Sequence, residues 1–145
     1  MYRDRFNFFL SFIGVLAVLF ILITGPLNEY STSYLLLQIF GILLIAWSLV
    51  VTKLNKHHHG NLAKGLFFVD KGPYEIIRHP IYAGFILVIN GFVQEFFTLP
   101  RAIALLVILA VIVAKIVREE YMLEHHVEEY VNYKKRTHKL IPYIF

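Results

Sequence analysis

Apolar residues fall in four blocks along the chain rather than in an alternating pattern. Phe6 to Thr24 runs for 19 residues without a charge, and Tyr34 to Val51 runs for 18 with only Gln38 and Ser48 as polar interruptions. Ile81 to Val93 is shorter and extends to Leu99 across Gln94 and Glu95, while Ala102 to Val117 carries Lys115 near its end. A helix rises about 1.5 Å per residue, so roughly 20 residues cross a hydrocarbon core of about 30 Å. The pattern predicts an all-α membrane protein with four spans, at about 6–24, 34–51, 81–99 and 102–117. Pro100 makes the last two a tight helical hairpin. Beyond Val117, Leu123, Val127, Tyr130 and Val131 form an apolar stripe among charges. This predicts a continuation of the fourth helix that lies back on the bundle as an amphipathic extension.

Composition agrees with one membrane domain over 1–145: 58% of residues are hydrophobic, 16% aromatic and 17% charged, and mean hydropathy is +0.63. A soluble domain usually carries about a quarter charged residues. The absence of cysteine excludes disulfides, thiolate metal sites and a cysteine nucleophile. Charge placement then orients the spans. Of the 14 Lys and Arg residues, Arg3, Arg5, the loop over 52–80, the tail over 118–145 and Lys115 hold all except Arg101. The positive-inside rule places both termini and that loop in the cytoplasm. The excess positive charge, +4 overall, is read as orientation signal and attraction to anionic lipid rather than as a nucleic-acid footprint. The first block is too long for a signal peptide, and no small-x-small site follows it before Pro26, so it is expected to stay.

Two polar segments lie on the cytoplasmic side. In the first, Gly72-Pro73 reads as a turn, and Pro80 suits the first helical position with His79 beside it. The unpaired N–H groups of such a start, with Arg78 and His79, suit a carboxylate or phosphate. Gly84 and Gly91 share a face and permit close approach of a helix or a ligand. Asn90 is expected to face the bundle interior. In the second segment Glu119 and Glu120 emerge where the fourth span leaves the membrane; Lys115 and Glu119 stand four apart, as do Glu120 and Glu124. His57-His58-His59 has no second cluster at ligand spacing, and the neighbours His125 and His126 diverge on a helix, so no metal site is expected.

Together these segments resemble the isoprenylcysteine carboxyl methyltransferase and phospholipid methyltransferase superfamily. The elements that carry the resemblance are Gly72-Pro73-Tyr74, Arg78-His79-Pro80-Ile81-Tyr82-Ala83-Gly84, the Glu119-Glu120 pair, the run Glu128-Glu129-Tyr130-Val131-Asn132-Tyr133-Lys134-Lys135-Arg136, and Leu140-Ile141-Pro142. The resemblance implies S-adenosylmethionine as cofactor, bound by Tyr74, His79, Pro80, Tyr82, Glu119 and Glu120, with backbone contacts from Phe68 and Val69. Many members have a histidine in an H-x-L-V stretch before the turn; here that stretch is Leu66-Phe67-Phe68-Val69, so the adenosine side is more apolar.

In that reading the helix start with Arg78 and His79 suits the cofactor's carboxylate, and Glu119 or Glu120 its ammonium. Tyr74 or Tyr82 lies against the sulfonium, with Arg78 and Tyr82 aligning the reactants. A lipophilic acceptor, carboxylate or amine, enters from the bilayer near Asn90, Gly91 and Lys115. None of the eight glycines forms a G-x-G, so the soluble dinucleotide or methyltransferase fingerprint is absent. Two other readings share some of these residues: an NADPH-dependent membrane reductase of the sterol type, and a scaffold that kept the fold without the activity. The identity of the acceptor and the oligomeric state are not legible, and the first two helices, free of site motifs, are left to face lipid or a partner.

Overall fold

A computed structural model describes residues 2–25, 32–55 and 68–142. His57-His58-His59, Leu66, Phe67 and Tyr143 lie outside the described residues, as do the side chains of Arg3 and Arg5. Among the described residues five α-helices follow one another: α1 Tyr2–Ile23, α2 Thr32–Asn55, α3 Pro80–Glu95, α4 Leu99–His126 and α5 Glu128–Arg136. A 3-10 turn, Gly72–Glu75, precedes α3. There is no strand among the described residues, only an isolated parallel bridge between Ile77 and His138. Among the described residues two stretches, Tyr34–Asn55 and Leu99–His126, are long and apolar enough to cross a membrane, and Asn7–Ile23 is a shorter apolar helix.

Packing follows small residues and one long stripe. On α4 the residues Arg101, Ala104, Ile108, Ile112, Ile116, Glu120 and Leu123 are all buried, and their spacing of three and four places them on one face. Ala104, Ile108, Ile112 and Ile116 sit among Ile21 of α1 and Ile89 and Val93 of α3, with Tyr82, Phe85 and Leu140 packed against that core. Outer faces stay apolar: Phe8, Phe12, Leu36, Phe40, Leu43 and Leu106 are all more than half exposed. Such a continuous apolar exterior is the mark of a lipid-facing surface.

The helices pair as α1 with α4 and α2 with α3, and the α3–α4 contact is smaller. The α2–α3 seam depends on glycine. A Cβ on Gly84 would lie 2.7 Å from the Gly41 carbonyl oxygen and 2.8 Å from Ile45 Cγ1. Gly84→Ala is therefore expected to cost about 1–3 kcal/mol, the usual range for overpacking, read as a lowered unfolding midpoint in detergent. An unchanged midpoint would mean that the seam yields freely.

Helix boundaries differ from the sequence reading: α1 starts at Tyr2 rather than Phe6, and α2 runs over Thr32–Asn55 rather than 34–51. α3 ends at Glu95 rather than Leu99, because Phe96 turns out of the helix at φ −133° and ψ 82°. α4 starts at Leu99 rather than Ala102; Thr98 is the extended residue before it, and Pro100 lies inside the first turn, where its missing N–H leaves no bond unmade. At its other end α4 runs unbroken to His126, and Val127 (φ −137°, ψ 99°) breaks it from α5. The break resets the helical phase, so Tyr133 is buried with Phe68, Leu123, Val127 and Tyr130, whereas Val131 is exposed.

Candidate active site

The turn before α3 is built by a glycine and two prolines. Gly72 has φ +62°, a conformation that favours glycine, and Pro73 then enters the 3-10 turn. This sets the Tyr74 hydroxyl 2.9 Å from Thr52 Oγ1, with which it shares a hydrogen bond. Tyr133 Oη donates to the Tyr74 carbonyl at 2.7 Å. Burial pushes the Tyr74 phenol above its ordinary pKa; the Thr52 bond partly offsets this, and the Glu119 charge adds to it. Tyr74 is thus a neutral phenol at physiological pH.

Pro80 starts α3, with His79 immediately before it. The tail returns alongside: the N–H groups of Arg78 and His79 donate to the carbonyls of His138 and Lys139, at 2.7 and 3.1 Å. The Arg78 guanidinium is engaged within the protein. Its Nε donates to Glu120 Oε1 at 2.7 Å, with both side chains only 5% exposed. Its Nη1 donates to the carbonyls of Thr137 and Lys134. Glu120 also lies 3.4 Å from His79 Nε2 and 3.7 Å from Lys134 Nζ. Lys134 pairs with Glu124 as well, so the like charges four apart on α4 share one cation. This network holds α3, α4, α5 and the tail together.

In front of it lies a cavity of about 580 Å³, lined by residues from every helix, within the range of small-molecule sites. Of the residues singled out in the sequence, Phe68, Val69, Tyr74, Arg78, His79, Tyr82, Lys115 and Glu119 line it. Four others do not. Pro80 is buried in the helix start. Glu120 sits behind the wall, because adjacent helical residues point about 100° apart and only Glu119 faces the cavity. Asn90 and Gly91 lie two turns or more along α3 from the rim, and Gly91 packs on Gln38 of α2. Lys115 Nζ donates to Ser11 Oγ of α1 at 2.8 Å.

The sequence reading missed several lining residues: Asn7, Thr52, Ile81, Arg118, Met122, Leu123, Tyr130 and Tyr133. Asn7, an amide inside the first apolar block, was a usable signal. Leu123 and Tyr130 were read as part of the tail's apolar stripe, and Tyr133 was quoted only in the tail run. The rings of Tyr130 and Tyr133 form a cluster with Phe68, at centroid separations of 5.4–5.6 Å. No group of three or more metal-ligating side chains occurs among the described residues.

The family model described as the isoprenylcysteine carboxyl methyltransferase (ICMT) family matches residues 31–125. The chain belongs to the isoprenylcysteine carboxyl methyltransferase family. The match takes in α2, α3 and most of α4, and with them the turn, the Arg-His-Pro helix start and both glutamates. It identifies a membrane protein of a methyltransferase family. No curated protein matches the chain.

Proposed function

We propose that the chain is a four-span membrane enzyme with both termini in the cytoplasm, which methylates a lipophilic acceptor at the cytoplasmic interface using S-adenosylmethionine. The observation that carries this is the cavity itself. It gathers Tyr74, Tyr82 and Glu119 where α3 begins and the apolar part of α4 ends, beside the basic tail. The donor set fits the cofactor: one carboxylate for an ammonium, cations for a carboxylate, and aromatic faces for a sulfonium and a purine. Bound there, S-adenosylmethionine supplies a methyl group on an already activated sulfonium.

The chain's own residues then bind and align. Glu119 receives the ammonium. Tyr82, whose ring centroid lies 5.8 Å from that of His79, offers its face to the sulfonium, an attraction worth about 0.5–2 kcal/mol. With Arg78 committed to Glu120, the cofactor's carboxylate falls to Arg118 or to the α3 start. Lys115, steadied by Ser11, stands at the membrane side of the cavity and orients an acceptor's polar head. Because α1 packs on α4 and α2 on α3, the wall between Asn7 and Thr52 is the natural opening to the bilayer for an acceptor. Alignment and exclusion of water are the main contributions such a pocket makes.

Calorimetric titration of S-adenosylmethionine into the detergent-purified chain tests this reading. Saturable binding is expected, weakened about tenfold or more in Glu119→Ala, since a lost bond to a charged group costs about 1.5–3 kcal/mol. Tyr82→Ala is expected to weaken it as well. Absence of binding by folded protein, or binding of NADPH in its place, would overturn the proposal.

A further inference from the structure

Tyr130 and Tyr133 lie on the same face of α5, and both line the cavity. Their hydroxyls differ. Tyr133 Oη donates to the Tyr74 carbonyl at 2.7 Å, whereas Tyr130 Oη, on a residue only 1% exposed, has no hydrogen-bond partner among the described residues. A buried phenol is seldom left unpaired without a reason. The packing of α5 does not require the oxygen, since phenylalanine would fill the same space.

We propose that this hydroxyl is a ligand-directed donor, and that Tyr130 bonds a neutral acceptor on the nucleoside part of the bound methyl donor. The inference rests on the methyltransferase reading and deepens it. Two observations set the nucleoside end here. The Tyr130 ring meets Phe68 edge-on at 5.6 Å and an 80° interplanar angle, and Tyr133 completes an aromatic wall suited to a purine face. The ring nitrogens and ribose hydroxyls of a nucleoside are uncharged acceptors, and behind this wall the charges of Glu120 and Arg78 offset one another. Burial, and after it the Glu120 charge, raises the phenol's pKa, so the proton needed for donation is present. The amino-acid end of the ligand then points the other way, toward Glu119. Here the tyrosine supplies the polar contact on a side of the pocket where the preceding stretch is Phe68-Val69.

The test compares the full chain with Tyr130→Phe, using S-adenosylhomocysteine and 5′-methylthioadenosine, which lacks the amino-acid end. The substitution is expected to weaken both ligands equally, by about fivefold, as for one neutral hydrogen bond. It should leave the unfolding midpoint of the ligand-free chain unchanged or raised, because it removes an unpaired buried hydroxyl. Equal affinities in the two chains, or a loss confined to S-adenosylhomocysteine, would overturn the assignment. So would a lowered ligand-free midpoint with intact affinity, which would mark a bond made inside the protein or to a trapped water. Should Tyr130→Phe fail to fold, 3-fluorotyrosine at position 130 offers a stronger donor, expected to tighten both ligands; no tightening overturns the inference. Failure of the unsubstituted chain to bind either ligand would overturn the methyltransferase reading itself, and this inference with it.

Discussion

Replacing Arg78 by methionine is expected to destabilise the folded chain by about 3–5 kcal/mol, the cost of leaving a buried partner charge uncompensated. A solvated pair at this position would cost no more than about 1 kcal/mol. Burial decides between the two: both side chains are 5% exposed. Glu120→Leu alone should cost a similar amount, since it strands the guanidinium. The double variant should recover part of the loss, because an apolar pair of similar volume often replaces a buried ion pair without penalty. Recovery will be incomplete, as the carbonyls of Lys134 and Thr137 lose their donor in both backgrounds. A double-mutant cycle on chemical unfolding in detergent measures each step. Single-variant losses below about 1 kcal/mol would show the pair to be solvated.

Arg101→Leu is the second large effect, at the opposite end of the same α4 stripe. Arg101 is 1% exposed. Its Nη1 donates to the Ile21 carbonyl at 2.9 Å, and its Nη2 donates to the Phe92 carbonyl at 2.6 Å. Ile21 and Phe92 belong to the last turns of α1 and α3, whose carbonyls have no partner further along the helix. One guanidinium thus caps two helix C-termini, where a cation is also favoured by the dipole, and its Cζ lies 5.8 Å from the centroid of the Phe96 ring. Losing two bonds to a charged donor should cost about 3–6 kcal/mol. Arg101→Lys should rescue little, because a single ammonium lacks the planar fork that serves two acceptors. Full rescue by lysine would mean that one bond carries the effect.

These two arginines also show what the sequence makes legible. Blocks of apolar residues revealed the helices, since hydropathy reports the solvent each segment requires. The Gly72-Pro73-Tyr74 turn and the close approach at Gly84 were legible because glycine and proline constrain the backbone locally. Charge counting, by contrast, left Arg101 as the lone basic residue of a loop, whereas the fold draws it inside. Its partners are main-chain carbonyls, which have no sequence signature. The choice between Glu119 and Glu120 was readable in principle, because Glu120 continues the spacing Ala104, Ile108, Ile112, Ile116 and Glu119 does not. The exchange of Val131 for Tyr133 was not readable, since it follows from a helix break at Val127 that no glycine or proline marks. The pairing of α1 with α4 was hidden for a similar reason: apolar faces alone do not specify which neighbour they meet.

The Arg78 clamp has a consequence for the order of events during synthesis. Its acceptor on Thr137 lies 59 residues downstream and Glu120 lies 42 downstream. At about 5–20 residues per second, the guanidinium precedes its last partner by roughly 3–12 s. For that interval the cation is without its final bonds, while α3 and α4 have already been made. The pocket therefore closes from its C-terminal side, and a nascent chain stopped before Thr137 would hold α1 to α4 and an unfinished cavity wall.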